Sequence, residues 1–146
     1  MYKQADEYIQ NIQDTGSHSG MPQSSDAKAM LSDPQRKAAG IERIAVELIN
    51  EYHVKTVGES KRAEIYVYKD GYYQVVGERF LKRILEEYLQ ETASPYIVHT
   101  IVEKVKNKTS TELKEFSEIS KDLVNVKNGI LNIKTKRLID HCPSYL

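Results

Sequence analysis

The C-terminal stretch LVNVKNGILNIKTKRLIDHCPSYL, residues 123–146, carries the strongest local structural signal in this chain. Two short apolar runs flank Asn128 and Gly129. An Asn-Gly pair between apolar runs is typical of a two-residue hairpin turn, because both central positions of that turn need positive φ. Residues 138–139 predict a third strand, which His141-Cys142-Pro143 ends. The sequence therefore predicts a C-terminal antiparallel meander.

A second hairpin is predicted over residues 64–76, EIYVYKDGYYQVV, where strand-forming residues flank Asp70-Gly71. Alternation along a strand places Ile65 and Val67 on one face and tyrosines on the other. Two interpretations of the tyrosines remain open. They could stack on bases from an exposed face, or pack as an aromatic core against the flanking helices. The four tyrosines in question are Tyr66, Tyr68, Tyr72 and Tyr73.

Helices are predicted before and after the tyrosine hairpin. One carries apolar residues at helical spacing from Ile41 to Tyr52, with Asp33 as a candidate N-cap and Pro34 at the first helical position. Two more cover residues 77–91 and a segment that begins at Ser94-Pro95. We therefore predict an α+β fold of amphipathic helices packed with the tyrosine hairpin and the meander, with a winged-helix-like arrangement as an alternative. Residues 1–31 are predicted to be a flexible tail or linker, and residues 32–146 one domain.

Composition excludes several functional classes. The 146 residues contain 21 basic and 21 acidic side chains, so nucleic-acid binding would need a local basic patch. The single cysteine, Cys142, rules out an internal disulfide and favours a cytoplasmic location. No apolar run is long enough to span a membrane. No phosphate-binding loop, zinc-ligand spacing or catalytic constellation is visible, so we expect no cofactor, no metal and no catalytic residue in this chain.

Two basic groups are the candidate DNA-binding residues. The first, at the end of the predicted third helix, could contact phosphates or simply stabilise a solvated helix terminus. The second, at the turns of the meander, could contact DNA or protect edge strands from aggregation. The first group is Lys104, Lys106 and Lys108; the second is Lys127, Lys134, Lys136 and Arg137.

The terminal motif resembles the segment that precedes the ATPase module in primase-helicases of phages, plasmids and large DNA viruses. The matching residues are Asn128, Gly129, Ile130, Leu131, Asn132, Ile133, Thr135, Leu138, His141, Pro143, Tyr145 and Leu146. Tyr68, Gly71 and Tyr73 of the tyrosine hairpin match as well. Members often carry Gly where Lys136 stands, which leaves the second turn type open.

The resemblance implies a replication protein whose superfamily-3 helicase module uses ATP and Mg²⁺ and forms a homo-hexamer. By that analogy, this segment is a non-catalytic collar that engages single-stranded or forked DNA beside a downstream ATPase module. The alternative is a protein-interaction or oligomerisation module that does not contact DNA. Neither hypothesis involves a membrane.

Overall fold

The computed structural model describes residues 25–58, 63–112 and 122–145. Their helices are α1 (Ser25–Met30), α2 (Lys37–Tyr52), α3 (Glu78–Leu89) and α4 (Pro95–Lys108). Their strands are β1 (Lys55–Val57), β2 (Glu64–Lys69), β3 (Tyr72–Val75), β4 (Ser110–Thr111), β5 (Leu123–Val126), β6 (Gly129–Asn132) and β7 (Arg137–Ile139). The predicted α+β class is confirmed.

The hydrophobic core lies between the helices and one face of the first sheet. The apolar stripe of α2 is buried as predicted, and α4 packs beside it with a stripe of its own. Ser94 caps α4, since its Oγ accepts a hydrogen bond from the backbone N–H of Ile97 at 3.2 Å. Ile65 and Val67 of β2 close this core from the sheet side.

The predicted start of the first long helix at Asp33-Pro34 is wrong. Helix α2 begins at Lys37, and Asp33 instead accepts a hydrogen bond from the backbone N–H of Gln35 at 2.9 Å. The backbone N–H of Arg36 also bonds to the carbonyl oxygen of Asp33 at 3.0 Å, so Asp33 caps a separate turn that precedes α2. Helix α2 ends at Tyr52, and His53 is its C-cap in a left-handed conformation with φ 45°.

Ordered structure begins before the predicted domain boundary at residue 32. Helix α1 packs on α2, and Ala27 and Leu31 are buried members of the core. The approach is close at Gly40, where a Cβ would be 3.0 Å from the carbonyl oxygen of Ala27. Residues 25–31 therefore belong to the domain, whereas the rest of the predicted tail, residues 1–24, lies outside the described residues.

The tyrosine hairpin is confirmed and forms half of a four-stranded sheet. The strand order is β3-β2-β1-β4, with β1 antiparallel to β2 and parallel to β4. Asp70 and Gly71 are the two loop residues, with φ of 53° and 90°. The short strands β1 and β4 were not predicted. Strand β1 pairs with β2 of the hairpin and β4 pairs with β1, so the hairpin is not an isolated two-stranded wing.

The C-terminal meander is confirmed as an antiparallel sheet in the order β5-β6-β7. Its first turn differs from the prediction by one residue. Val126 pairs with Gly129, so the loop residues are Lys127 and Asn128. Gly129 has a φ of 148°, whereas neither loop residue is among the described residues with positive φ. The predicted turn centred on Asn128-Gly129 is wrong, because Gly129 already belongs to β6.

The second turn of the meander spans four residues, since Asn132 pairs with Arg137. The Asn132 side chain accepts hydrogen bonds from the backbone N–H groups of Lys134 and Thr135, at 3.1 and 2.9 Å. Lys136 has a φ of 54°, a conformation that glycine adopts more easily. The lysine thus occupies the left-handed position in this turn.

Candidate functional site at the joint between the two sheets

The tip of the tyrosine hairpin meets the C-terminal segment through Gly71 and His141. A Cβ built on Gly71 would be 2.7 Å from the imidazole ring of His141. Because Gly71 is buried and has no side chain, the ring lies directly on its backbone. Two residues that were both singled out by the resemblance are therefore in contact.

Asn125 completes this contact from β5. Its Nδ2 donates a hydrogen bond to the carbonyl oxygen of Gly71 at 2.8 Å. Its Oδ1 lies 2.9 Å from Nε2 of His141, and the carbonyl oxygen of Val126 lies 3.0 Å from the same nitrogen. Since both neighbours of Nε2 are acceptors, this nitrogen carries the proton and donates. Asn125 therefore connects the two sheets, a role the sequence analysis missed.

Tyr68 and Tyr73 form the aromatic part of the joint. Their ring centroids are 5.3 Å apart in an edge-to-face arrangement, and the Tyr73 hydroxyl donates to the carbonyl oxygen of Pro143 at 3.3 Å. Burial raises the pKa of Tyr73 to about 12. Strand alternation places both rings opposite Ile65 and Val67, on the face away from the core. Tyr68 also meets His53, the C-cap of α2, edge to face with ring centroids 6.1 Å apart. The two tyrosines therefore pack between the end of this helix and the C-terminal segment.

The other two tyrosines of the hairpin stand apart from this joint. The Tyr66 hydroxyl donates to the Glu64 carboxylate at 2.9 Å, and Tyr72 remains 47% exposed at the hairpin end. Neither arrangement produces a row of exposed parallel rings. The hairpin therefore gives little support to a base-stacking platform.

Cys142 lies between His141 and Pro143 and is partly exposed. Hydrogen bonds from the backbone and side chain of Ser144 lower the pKa of its thiol. Catalysis by such a thiol would need a base, and the nearest candidate in sequence is His141. The Nε2 of that histidine is already directed at Asn125 and Val126. Nε2 of His141 is therefore engaged by the joint and not by Cys142.

The predicted DNA-binding lysines of α4 do not form one patch. Lys104 and Lys108 both pair with Glu42 of α2, and the Lys104–Glu42 distance is 2.9 Å. These two lysines lower the pKa of the Glu42 carboxyl. Lys106 instead pairs with Glu78 of α3 at 2.8 Å and with Glu103 at 2.9 Å. All three lysines therefore already neutralise carboxylates on the helical layer.

The predicted basic residues of the meander lie at opposite ends of its sheet. Lys127 is in the first turn, whereas the other three are in or beside the second turn. Lys134 pairs with Asp122 at 2.7 Å. Lys136 and Arg137 are neighbouring exposed cations with no ion pair to the described residues. Of the seven predicted cations, these two form the best candidate for phosphate contact.

The meander has one face that points away from the joint, which we call the outer face. Strand register places Val124, Leu131 and Leu138 side by side across the three strands. Val124 is 44% exposed, Leu138 54% and Ile133, on the same face, 50%. The inner face carries Asn125 and the fully buried Ile130. Alternation along β5, β6 and β7 could have predicted that these side chains share a face. Only the pairing register shows that they lie next to one another.

Neither a metal centre nor a membrane span is found in the described parts of the chain. No group of three or more potential metal ligands is brought together among them. None of their helices is long and apolar enough to cross a membrane. Comparisons of the chain with protein-family models and with curated proteins found no match.

Proposed function

We propose that this chain is the non-catalytic connecting domain of a replicative DNA primase-helicase of the virus, phage or plasmid type. The carrying observation is that residues of the terminal motif and of the tyrosine hairpin meet at one joint. Gly71 contacts His141, and Tyr73 bonds to Pro143 across a separation of 70 positions. The residues that match the family are far apart in the sequence, yet they lie in contact in the fold. This contact supports the resemblance.

ATP and Mg²⁺ belong to an adjoining module under this proposal. The chain contains no glycine-rich loop ending in Lys-Ser or Lys-Thr, which is the usual cradle for nucleotide phosphates. The described residues also lack a carboxylate cluster that could hold a cation. The residues present therefore do not fit a nucleotide site, and the proposed domain contributes structure and DNA contact within a cytoplasmic homo-hexamer.

DNA contact is assigned to Lys136 and Arg137 at the second turn of the meander. Cations at an exposed turn can reach phosphates without reading sequence. The lysines of α4 are less suited, because each one already pairs with a carboxylate. We therefore expect weak binding with little sequence preference.

The test is fluorescence anisotropy with a labelled single strand and a labelled duplex, at about 50 and 200 mM salt. The variant Lys136→Gln/Arg137→Gln is compared with Lys104→Gln/Lys108→Gln, which removes the same charge from α4. Each lost phosphate contact lowers the slope of log affinity against log salt by about 0.7 for a single strand. The meander variant should lose about 1.4 in slope, whereas the helix variant should keep the native slope. Equal losses in both variants, or no binding by the native chain at low salt, would reject the DNA contact.

A second candidate function is a protein-interaction module, and the outer face of the meander favours it. Val124, Ile133 and Leu138 are all exposed there. A contiguous apolar row on a free surface is typical of an interaction site. Leu138→Ser, which changes no charge, should weaken assembly with an adjoining module and leave the salt-dependent DNA binding unchanged. Lys136→Gln/Arg137→Gln should give the opposite result, which separates the two functions.

A further inference from the structure

We propose that Asn128 is a site of spontaneous deamidation, and that the joint between the two sheets controls the rate of this modification. The inference goes beyond the proposed function and does not rest on it. Asn128 is an exposed loop residue in the first turn of the meander, and Gly129 follows it. Glycine has no side chain that could shield its backbone nitrogen. That nitrogen is the nucleophile of the reaction.

The reaction needs only water as a co-reactant. The backbone nitrogen of Gly129 gives up its proton and attacks Cγ of the Asn128 side chain. A bond forms between that nitrogen and Cγ, the bond from Cγ to the amide nitrogen breaks, and ammonia leaves. Water then opens the resulting succinimide ring at either of its two carbonyl carbons. One product is aspartate, and the other is isoaspartate, in which the main chain runs through the side-chain carbons.

Asn128 differs from every other asparagine of the chain. Each of the others is followed by a residue that has a side chain. Two of them are also held in place, since Asn125 donates to the carbonyl oxygen of Gly71 and Asn132 accepts two backbone N–H groups of its own turn. The Asn128 side chain has no hydrogen bond to the described residues. The residues that follow the other asparagines are Ile12, Glu51, Lys108, Val126 and Ile133.

The folded turn restrains the attacking nitrogen. Val126 pairs with Gly129 and closes the two-residue loop. Such a closing pair exchanges backbone hydrogen bonds, so the Gly129 N–H is directed at the carbonyl oxygen of Val126. His141 donates to the same oxygen from Nε2 at 3.0 Å, and Oδ1 of Asn125 lies 2.9 Å from that nitrogen. Deamidation therefore proceeds from the opened turn, and the joint keeps the population of that state small.

The isoaspartate product prevents the turn from closing again in its original register. Its linkage adds one carbon atom to the main chain immediately before Gly129. There is no space for this atom, because even a Cβ on Gly129 would collide with the carbonyl oxygen of Ile139. Both products also place a negative charge beside Lys127. Deamidation thus converts a transient opening of the joint into a permanent one.

The first test follows deamidation in the whole chain during incubation at neutral and mildly alkaline pH. A protease that cleaves after acidic residues releases residues 123–140, so that Asn125, Asn128 and Asn132 lie in one peptide. Fragmentation mass spectrometry locates the mass gain from amide to carboxyl, and a sample taken before incubation corrects for changes during digestion. The gain should accumulate at Asn128 ahead of the other two. Equal accumulation at all three, or none at Asn128, overturns the proposed site.

The second test uses Asn125→Ala to loosen the joint. Asn128 should deamidate about tenfold faster in this variant, which corresponds to about 1.4 kcal/mol of lost local stability. Asn50→Ala, which removes an exposed asparagine of α2, should keep the native rate. In concentrated urea the turn is open in all three chains, and their rates at Asn128 should coincide. An unchanged rate in Asn125→Ala, or a difference that persists in urea, overturns control by the joint.

Discussion

The imidazole of His141 rests on the backbone of Gly71, close enough that a Cβ on the glycine would lie 2.7 Å from the ring. Gly71 also has a φ of 90°, which disfavours any residue with a side chain. Two independent constraints therefore act on this one position. The first comes from the hairpin turn, and the second comes from the C-terminal segment packed against it.

We predict that Gly71→Ala lowers the free energy of unfolding by about 2–4 kcal/mol, from backbone strain together with overpacking. Urea denaturation measures the loss. The cost of Gly71→Ala should be smaller when His141→Ala is already present, because only the strain of the turn then remains. Equal costs in both backgrounds would show that the ring contact has no energetic role.

Gly77→Ala is the matched control for this experiment. A Cβ at Gly77 meets no atom within 4 Å, and its φ of −90° suits any residue. We expect a loss below about 1 kcal/mol, which arises from the poorer capping of α3 by alanine. A loss as large as that of Gly71→Ala would contradict the assignment of the cost to the joint.

Asn125→Ala should loosen the meander selectively. The substitution removes the hydrogen bond to the Gly71 carbonyl and the acceptor for His141. The expected loss in unfolding free energy is about 1–3 kcal/mol, the range for leaving a partly buried polar group without its partner. Hydrogen exchange should accelerate in β5, β6 and β7 and remain slow in α4.

The control for that prediction is Asn50→Ala on the exposed side of α2. Alanine favours the helix over asparagine, so stability should stay level or rise slightly. If Asn125→Ala were equally harmless, Asn125 would not hold the two sheets together.

Local sequence patterns were sufficient to predict much of this fold. The Asp70-Gly71 hairpin, the capped helix beginning at Ser94-Pro95 and the meander all follow from residues close together in the chain. Strands β1 and β4 were missed because they are only three and two residues long, and each is defined by its pairing with a distant partner. The position of Asn125 at the joint was missed for the same reason.

The candidate DNA-binding residues show a further limit of sequence analysis. Lys104, Lys106 and Lys108 are close in sequence and were predicted as one basic group. On a helix, however, positions four apart share a face while a position two away does not. Lys104 and Lys108 therefore meet Glu42, whereas Lys106 meets Glu78 on another helix. The sequence alone predicts the helix, but it does not predict which carboxylates pair with each lysine.

The first turn of the meander provides a test of its observed register. The structure places a Cβ on Gly129 in collision with the carbonyl oxygen of Ile139, and this glycine has a φ of 148°. Gly129→Ala should therefore cost at least about 2 kcal/mol. Asn128→Ala should cost less than about 1 kcal/mol, because Asn128 is an exposed loop residue without positive φ.

Thermal or urea unfolding of both variants measures this difference. A turn centred on Asn128 and Gly129 would place both residues at positive φ and make both substitutions costly. Comparable large losses would thus favour the sequence-based turn over the observed one.

The raised pKa of Tyr73 predicts how stability changes in alkali. An unperturbed tyrosine has a pKa of about 10, and burial raises that of Tyr73 to about 12 in the folded protein. The folded state thus holds the proton more tightly than the unfolded state. This stabilisation is complete below pH of about 10, and it is lost as the pH rises towards 12.

Tyr73→Phe removes this titration and should make the unfolding free energy fall less steeply above pH of about 10, the usual tyrosine pKa. The difference in slope is at most about 1.4 kcal/mol per pH unit, the limit for one proton. Urea unfolding at a series of alkaline pH values measures both slopes. Tyr96→Phe is the matched control, since it removes the same hydroxyl from a tyrosine that is 69% exposed. If Tyr73→Phe followed the native slope, the Tyr73 hydroxyl would titrate as freely in the folded protein as in the unfolded chain, and its burial beneath Pro143 would be wrong.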